Sequence, residues 1–450
     1  MKDREFYKSF FRLYIVLVLQ NIVTLSVNLA DNIMLGAYGE VSLSGVTAVN
    51  QIQFLYQQIL IAFGDGMVIF CSQYWGKKQI QPMKKVIVIA MRFGVATAVI
   101  LFLVITLFPG QAMQVFTTDK RIIGEGVTYL RTIRFTYLFF AVTQMLLAAL
   151  RSTEVAKIAL KLSVLALVVN CGINYVLIFG RFGSPELGVT GAAIGTLTAR
   201  ILECAVLIWY IVQKEKYLRL KLVDFMQRDQ KFLKDYLKVL MPLLVFSVLW
   251  GINTAIQTVV LGHMNSAAIA ANSAASNLYL VVKSAAVGAA SAASVMIGKT
   301  IGMGDGELVK RYARKLQILF LLLAIAGGIL LYFIRIPVLS LYDLGPETME
   351  LANQFLIILS VVYVAMAYQM PTNAGIIKGG GSVYFSAKLD TVCICLIVIP
   401  LSCYMAFVAG ALPAVVVICL NIDQFIKCVP VFLKVNYGNW MKKLTREGNI

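Results

Sequence analysis

The chain is written in apolar runs long enough to cross a lipid bilayer, and no other feature constrains its fold as strongly. Lipid offers no partner to backbone N–H and C=O groups, so a run of about 20 mostly apolar residues must close its own hydrogen bonds as a helix. Twelve such runs are legible, at 13–36, 45–74, 87–108, 128–149, 162–180, 190–212, 239–261, 268–297, 316–334, 351–376, 389–409 and 413–433. Composition agrees: 60% of the residues are hydrophobic and 14% charged, against roughly a quarter charged in soluble domains. The expected fold class is an all-α polytopic membrane protein of twelve transmembrane helices. The start, MKDREFYKSFFRLYIVLVLQ, puts basic residues before an apolar run as a secretory signal does, but no small-residue cleavage site follows and the run continues too far. It is read as the first spanning helix.

A net charge of +18 would suggest nucleic acid in a soluble chain, so the placement of Lys and Arg decides. The even-numbered connections and both termini hold 30 of them, and the odd-numbered connections hold 6 with Arg131 and Arg134 counted in. By the positive-inside rule both termini are expected in the cytoplasm, with the chain multi-pass in the plasma (inner) membrane. The longest basic connection, 213–238, lies on the same side and is read as a solvated loop against anionic headgroups. Membrane lipids, and not nucleic acid, are the expected partners.

That connection sits at mid-chain and points to a duplication. An offset of 226 residues pairs Leu35 with Leu261, Gly36 with Gly262, Ala48 with Ala274, Gly76 with Gly302 and Lys84 with Lys310. An offset of 227 pairs Lys161 with Lys388, Leu162 with Leu389 and Arg151 with Lys378. Six helices per half is an even number, so both halves enter from the same side and are related by an axis along the membrane normal. Two pseudo-symmetric six-helix lobes, 1–225 and 226–450, with a cavity between them, are expected.

Several chemistries are disfavoured. The eight cysteines, Cys71, Cys171, Cys204, Cys393, Cys395, Cys403, Cys419 and Cys428, all fall in apolar segments without metal-type spacing and read as small hydrophobic fillers. His263 is the single histidine, so no zinc site of the usual ligands can be assembled. ASVMIGKT at 293–300 matches a relaxed phosphate-loop pattern but ends a long apolar run, where the motif needs a strand and a Gly-rich turn. GMGDG at 302–306 repeats the loop at Gly76. With no nucleophile–base constellation elsewhere, neither enzymatic activity nor a cofactor is expected.

Ionisable residues inside spans cost about 2.5 to 3.5 kcal/mol each at mid-bilayer and are read as functional by default. Arg200 and Glu203 are spaced i,i+3, and Asp423 and Lys427 i,i+4, so pairing on one helix face accounts for them. Asp390 and Arg92 lie near segment ends and are expected to snorkel. Asp31, Asp65 and Lys283 have no such local partner. Asp65 is flanked by Gly64 and Gly66, which permit close helix approach, so an interhelical hydrogen bond and a place on the substrate pathway both remain open. Lys283, in the middle of the eighth segment, must face a wet cavity or an acid. Asp31, Asn174 and Thr196 each lie about six residues from the outer end of their segment, and Asn170 is one turn deeper than Asn174 on the same face. Oxygen-bearing side chains at one level can coordinate a hard cation or receive a proton, and ordinary interhelical hydrogen bonds are the alternative.

These residues resemble a family. LADNIMLGAYGEVSLSGVTAVNQI at 29–52 is similar to the first-helix signature of the multidrug and toxic compound extrusion (MATE) transporters. SQYWGKK, RSTEVAK, NCGINYVLIFG through PELGVTGAAIGT, and IKGGGSVYFSAKLD resemble further landmarks, in the order and spacing of the bacterial type across nearly the whole chain. The resemblance implies an antiporter that exports small amphipathic organic compounds, driven by H⁺ or Na⁺ entry, through two lobes that open alternately. In one branch the coupling site takes an Asp on the first helix, an Asn and an Asp one turn apart on the fifth and a Thr on the sixth, and these positions match Asp31, Asn170, Asn174 and Thr196.

Three departures follow. The second acid of the fifth helix is Asn174 here, leaving one formal charge, which favours H⁺ over Na⁺ without deciding between them. The proline expected early in the first helix is absent, its repeat-related position being Val16, whereas Pro242 is kept in the seventh. No acid occupies the seventh helix, where Gln257 is the counterpart of Asp31. Asp65, Lys283 and Gln257 are the expected cavity residues. No metal beyond Na⁺ at the coupling site is expected, and the chain is expected to act as a monomer. A flippase of lipid-linked saccharides would share the two-lobe plan, but several basic residues would then face the cavity and only Lys283 qualifies. A non-transporting scaffold would leave Asp31 unexplained.

Overall fold

The computed structural model describes residues 2–215, 217–218, 220, 222–225, 229–264, 266–340, 342 and 344–446, and among them every regular element is helical. Among the described residues eleven helices are long and apolar enough to cross a membrane, and a bent pair brings the number up to twelve. In chain order they are α1 (Lys2–Tyr38), α2 (Glu40–Gly76), α3 (Ile80–Leu107), α4 (Lys120–Ile133 with Thr136–Ser152), α5 (Lys157–Ile178), α6 (Val189–Gln213), α7 (Gln230–Gly262), α8 (Ser266–Gly302), α9 (Gly306–Leu339), α10 (Pro346–Met370, continued to Lys378), α11 (Val383–Val392, continued to Val408) and α12 (Pro413–Leu420 with Ile422–Tyr437). Most run past the apolar segment that announces them. Polar and charged residues at a segment end leave the apolar layer, but nothing there obliges the backbone ladder to stop.

The segment expected as one helix at 128–149 departs from this. It is broken between Ile133 and Thr136, with a bend of 56°. The Thr136 hydroxyl donates to the Ile133 carbonyl at 2.6 Å, and the Arg134 guanidinium lies 5.7 Å and 5.1 Å from the ring centroids of Phe102 and Phe135. A side-chain donor to a helix carbonyl competes with the i,i+4 ladder, and such insertions are a standard cause of a kink.

The last three helices are irregular for a related reason. Pro371 opens a π-helical turn over Pro371–Lys378, and π turns over Cys393–Val398 and Tyr404–Val408 flank Pro400. Proline removes an N–H and crowds the carbonyl four residues back, so the ladder widens around it. α12 breaks at Asn421, whose side-chain amide donates to the Val417 carbonyl at 2.9 Å. A break at membrane depth is tolerated where the freed groups find such partners.

The chain forms two compact units. One holds Leu19–Cys71 with Lys78–Leu237, and the other holds Met1–Val18 and Ser72–Lys77 with Lys238–Ile450. In the first, Tyr56 donates to the Tyr137 carbonyl at 2.7 Å and Tyr236 to that of Phe63 at 2.8 Å. The mid-chain connection is fastened to α3 by Lys85–Asp229 at 3.1 Å and Lys84–Asp224 at 3.7 Å. Arg92, expected to snorkel, donates to the Phe225 carbonyl of that connection.

The second unit gathers the first turns of α1, where Phe6 stacks on Tyr312 with ring centroids 3.9 Å apart. Its core sets the small residues Ala268, Ala271 and Ala275 of α8 in one apolar cluster with Phe355, Leu356 and Leu359 of α10. Small residues let helix backbones approach closely, which matters where lipid supplies no hydrophobic drive between helices. The ends of α2 and α8 cross on glycine: a Cβ at Gly76 would strike the Lys299 carbonyl, and one at Gly302 that of Gln73. Both pairs, 73 with 299 and 76 with 302, are separated by the 226-residue offset, so each helix offers its partner the same surface. The C-terminal strap closes over this crossing. Gln73 donates to the Lys442 carbonyl at 3.0 Å and accepts from the Leu444 amide at 2.9 Å, while buried Trp440 donates to the Val435 carbonyl at 2.8 Å.

Candidate functional site

In the first unit, α1, α5 and α6 bring four polar side chains together. Asn170 and Asn174 are one turn apart on α5 and buried among apolar residues. They are accommodated because α6 presents Gly191 and Gly195 to α5 one turn apart. A Cβ at Gly191 would lie 2.7 Å from the Leu177 carbonyl carbon, and one at Gly195 would occupy the place of Asn174 Oδ1. Asn174 Nδ2 donates to Asp31 Oδ1 at 2.6 Å and lies 3.4 Å from Asn170 Oδ1, while Asn170 Nδ2 donates to Thr196 Oγ1 at 3.2 Å. A continuous chain therefore runs from the carboxylate through two amides to a hydroxyl.

One atom of this chain is left over. Asn174 Oδ1 is buried and accepts from no donor among the described residues. An unsatisfied buried acceptor beside a carboxylate is the kind of group that a cation, a proton-bearing partner or a water completes. The set of one carboxylate, two amide oxygens and one hydroxyl suits a hard monovalent cation by ligand type, and the carboxylate suits a proton.

Two residues not assigned to this site from the sequence belong beside it. Tyr129 of α4 is buried within hydrogen-bonding reach of Thr196 and within electrostatic range of Asp31. Arg200, one turn beyond Thr196, is within electrostatic range of Asp31 and holds Glu203 at 2.8 Å while stacking over Phe140 at 4.8 Å. The i,i+4 spacing from Thr196 was the available signal for Arg200. Tyr129 gave none, because the kink of α4 sets where its ring points. In their ordinary ionised forms Asp31, Arg200 and Glu203 carry one net negative charge.

The remaining charges separate. Asp65 is half-exposed and paired with Arg151 at 3.1 Å, both in the first unit. Gln257 is half-buried on α7, and Lys283 has its ammonium 5.2 Å from the Trp250 ring centroid, both in the second unit. Lys283 is half-buried with Asp423 within electrostatic range, so an acid is near it and its side chain is not sealed off. Lys427 takes Asp423 at 2.8 Å, as the spacing predicts, but also Asp390 at 2.9 Å. Asp390 therefore does not snorkel. It is buried because α12 offers it a cation that the sequence does not place beside it.

The MatE family model matches residues 17–176 and 242–404. The chain is 24% identical over 386 residues to a probable multidrug resistance protein NorM of Thermotoga maritima, covering 84% of this chain and 81% of that protein. It is 25% identical over 352 residues to a probable multidrug resistance protein YoeA of Bacillus subtilis, covering 76% and 74% respectively. In fold it is similar to a point mutant of the Vibrio cholerae MATE transporter VcmN, with a TM-score of 0.88, 16% identity and 98% of each chain covered. A crystal structure of MATE in complex with MaL6 superposes with a TM-score of 0.87 at 18% identity, covering 95% of each chain.

Proposed function

The chain belongs to the multidrug and toxic compound extrusion (MATE) family, and we propose that it is a plasma-membrane antiporter that exports small amphipathic organic compounds in exchange for an entering monovalent cation. Both termini are cytoplasmic in this reading, supported by the bias of Lys and Arg toward the termini and even-numbered connections. Alternating exposure of the two sides follows from the need to release cation and substrate on opposite faces.

The observation that carries the proposal is the contact between Asp31 and Asn174 at 2.6 Å inside a polar chain whose two asparagines are buried on α5. A carboxylate taken out of water is expensive as a bare anion, and its partners Asn174, Asn170 and Thr196 are neutral. One added positive charge balances it. The proton is the favoured cation, because it needs a single carboxylate, whereas affinity for a metal ion rises with the number of charged ligands. Entry of the cation at Asp31 and its departure would bias the helices α1, α5 and α6 between two arrangements, the differential binding that any coupled transporter requires.

Protein reconstituted into vesicles tests this directly. Substrate-dependent proton flux is expected in the native chain and not in Asp31→Asn. Flux that follows a Na⁺ gradient at constant pH would replace the proton by Na⁺, and equal gradient-driven export in Asp31→Asn would place coupling outside this site.

A further inference from the structure

The first segment of α4, Lys120–Ile133, is amphipathic. Gly126, Tyr129, Leu130 and Ile133 are buried in the first unit, whereas Arg121, Thr128, Arg131 and Phe135 form an exposed stripe on the opposite side. A segment with one packed and one cationic face belongs at the boundary between headgroups and acyl chains. Its acids are already engaged: Asp119 meets Arg121 at 3.4 Å, and Glu125 accepts from the Ser42 hydroxyl at 3.1 Å. Arg131 and Arg134, three residues apart across the start of the break, are not. Neither guanidinium donates to an acceptor among the described residues.

Arg134 is the more constrained of the two. It is half-buried, 5.7 Å and 5.1 Å from the ring centroids of Phe102 and Phe135, which lie 5.3 Å from each other. Rings offset part of a cation's charge but accept none of its five N–H groups in the plane of the fork. Of its three side-chain nitrogens only Nε is sealed without a partner, so the fork itself is open. Phe102 lies five residues before the end of α3 at Leu107, about 8 Å along the axis at 1.5 Å per residue. Beside it α3 exposes Val99, Ile100, Leu103, Val104 and Leu107. The unpaired cation therefore adjoins an apolar surface at the end of a span, where acyl chains meet headgroups.

We propose that Arg131 and Arg134 seat the headgroup phosphate of an anionic phospholipid, whose acyl chains cover the exposed face of α3. A guanidinium fork matches phosphate oxygens in two parallel N–H···O bonds, and a second arginine one turn away adds charge without crowding. Counting spans puts the end of α3 on the side opposite the N-terminus. The lipid thus belongs to the outer leaflet, an assignment that rests on the proposed cytoplasmic termini.

The test is a titration of the purified full-length protein in detergent with phosphatidylglycerol or phosphatidylcholine, bound lipid being counted by native mass spectrometry. One phosphatidylglycerol should be retained in preference to phosphatidylcholine, whose choline cation meets the arginines unfavourably. Arg131→Gln and Arg134→Gln should each weaken its binding about tenfold, the size of one charge-assisted hydrogen bond. If Arg134→Gln does not fold, Arg134→Lys keeps the charge without the planar fork and should still bind more weakly. Equal retention of the two lipids, or unchanged binding in the variants at both positions, overturns the proposal. Displacement of the lipid by millimolar inorganic phosphate also overturns it, since that marks a site for free phosphate. In vesicles, photoactivatable phosphatidylglycerol confined to one leaflet should cross-link residues 128–135 only from the leaflet opposite the termini, and labelling only from the other leaflet overturns the placement. Protease access to the termini in the same vesicles tests the topology separately.

Discussion

Asn174 reaches Asp31 across the α5–α1 contact at 2.6 Å, and the same Nδ2 lies 3.4 Å from Asn170 Oδ1 on its own helix. One amide nitrogen thus ties the carboxylate to the polar ladder of α5, so a change of charge at Asp31 is felt at Asn170 and, through its contact, at Thr196.

Replacing Asp31 by Asn should abolish gradient-driven export while retaining substrate binding, because the variant keeps a polar side chain but carries no charge to exchange. Parallel measurements of substrate affinity in detergent and of proton-driven export in vesicles check this. Loss of both together would mean that Asp31 holds the unit's structure.

Restoring the second acid by Asn174→Asp adds a charged ligand beside Asp31 and removes the amide donor between them. Two carboxylates at this distance repel unless a cation lies between them. Export by the variant should become dependent on Na⁺, or demand lower pH in its absence. Transport assayed with and without Na⁺ at several pH values reads the change. Indifference to both would show that position 174 does not face the coupling ion.

Gly195 is a specific weak point. Any side chain there enters the space of Asn174 Oδ1, so Gly195→Val must displace the amide. The expected penalty is that of an overpacked core, about 1 to 3 kcal/mol, seen as a lower melting temperature together with lost coupling. A fully active and equally stable variant would mean that Asn174 can move without consequence.

Lys283→Ala is expected to change the preference between cationic and anionic substrates and to leave folded yield about unchanged. The reason is that Asp423 retains Lys427 at 2.8 Å when Lys283 is removed. Competition assays with a matched pair of charged dyes measure the first, and detergent-extracted monodisperse yield the second. A collapse in yield would assign Lys283 to the structural ion pairs.

Gln73→Ala removes one donor and one acceptor that hold the C-terminal strap at Lys442 and Leu444. At roughly 0.5 to 1.5 kcal/mol for each hydrogen bond, residues 440–446 should lose amide protection before the helices do. Hydrogen exchange read by mass spectrometry distinguishes this from global destabilisation, in which all helices would exchange faster.

The helices, their number and the duplication were legible in the residues because they rest on local chemistry. Apolar length and backbone self-satisfaction in lipid depend on each segment alone, and a repeat is visible wherever two segments share residue types. Depth was legible too, since counting from a segment end places Asp31, Asn174 and Thr196 at one level. What depends on rotation about the helix axis and on partners distant in sequence was not. The 56° break in α4 turns on where Thr136 and Arg134 find partners. Asp390 had the same sequence credentials as a snorkelling acid. Only the packing of α11 on α12 set Lys427 2.9 Å away, because a buried charge is tolerated where a counter-charge from another helix meets it, and no residue near Asp390 in the chain records that meeting.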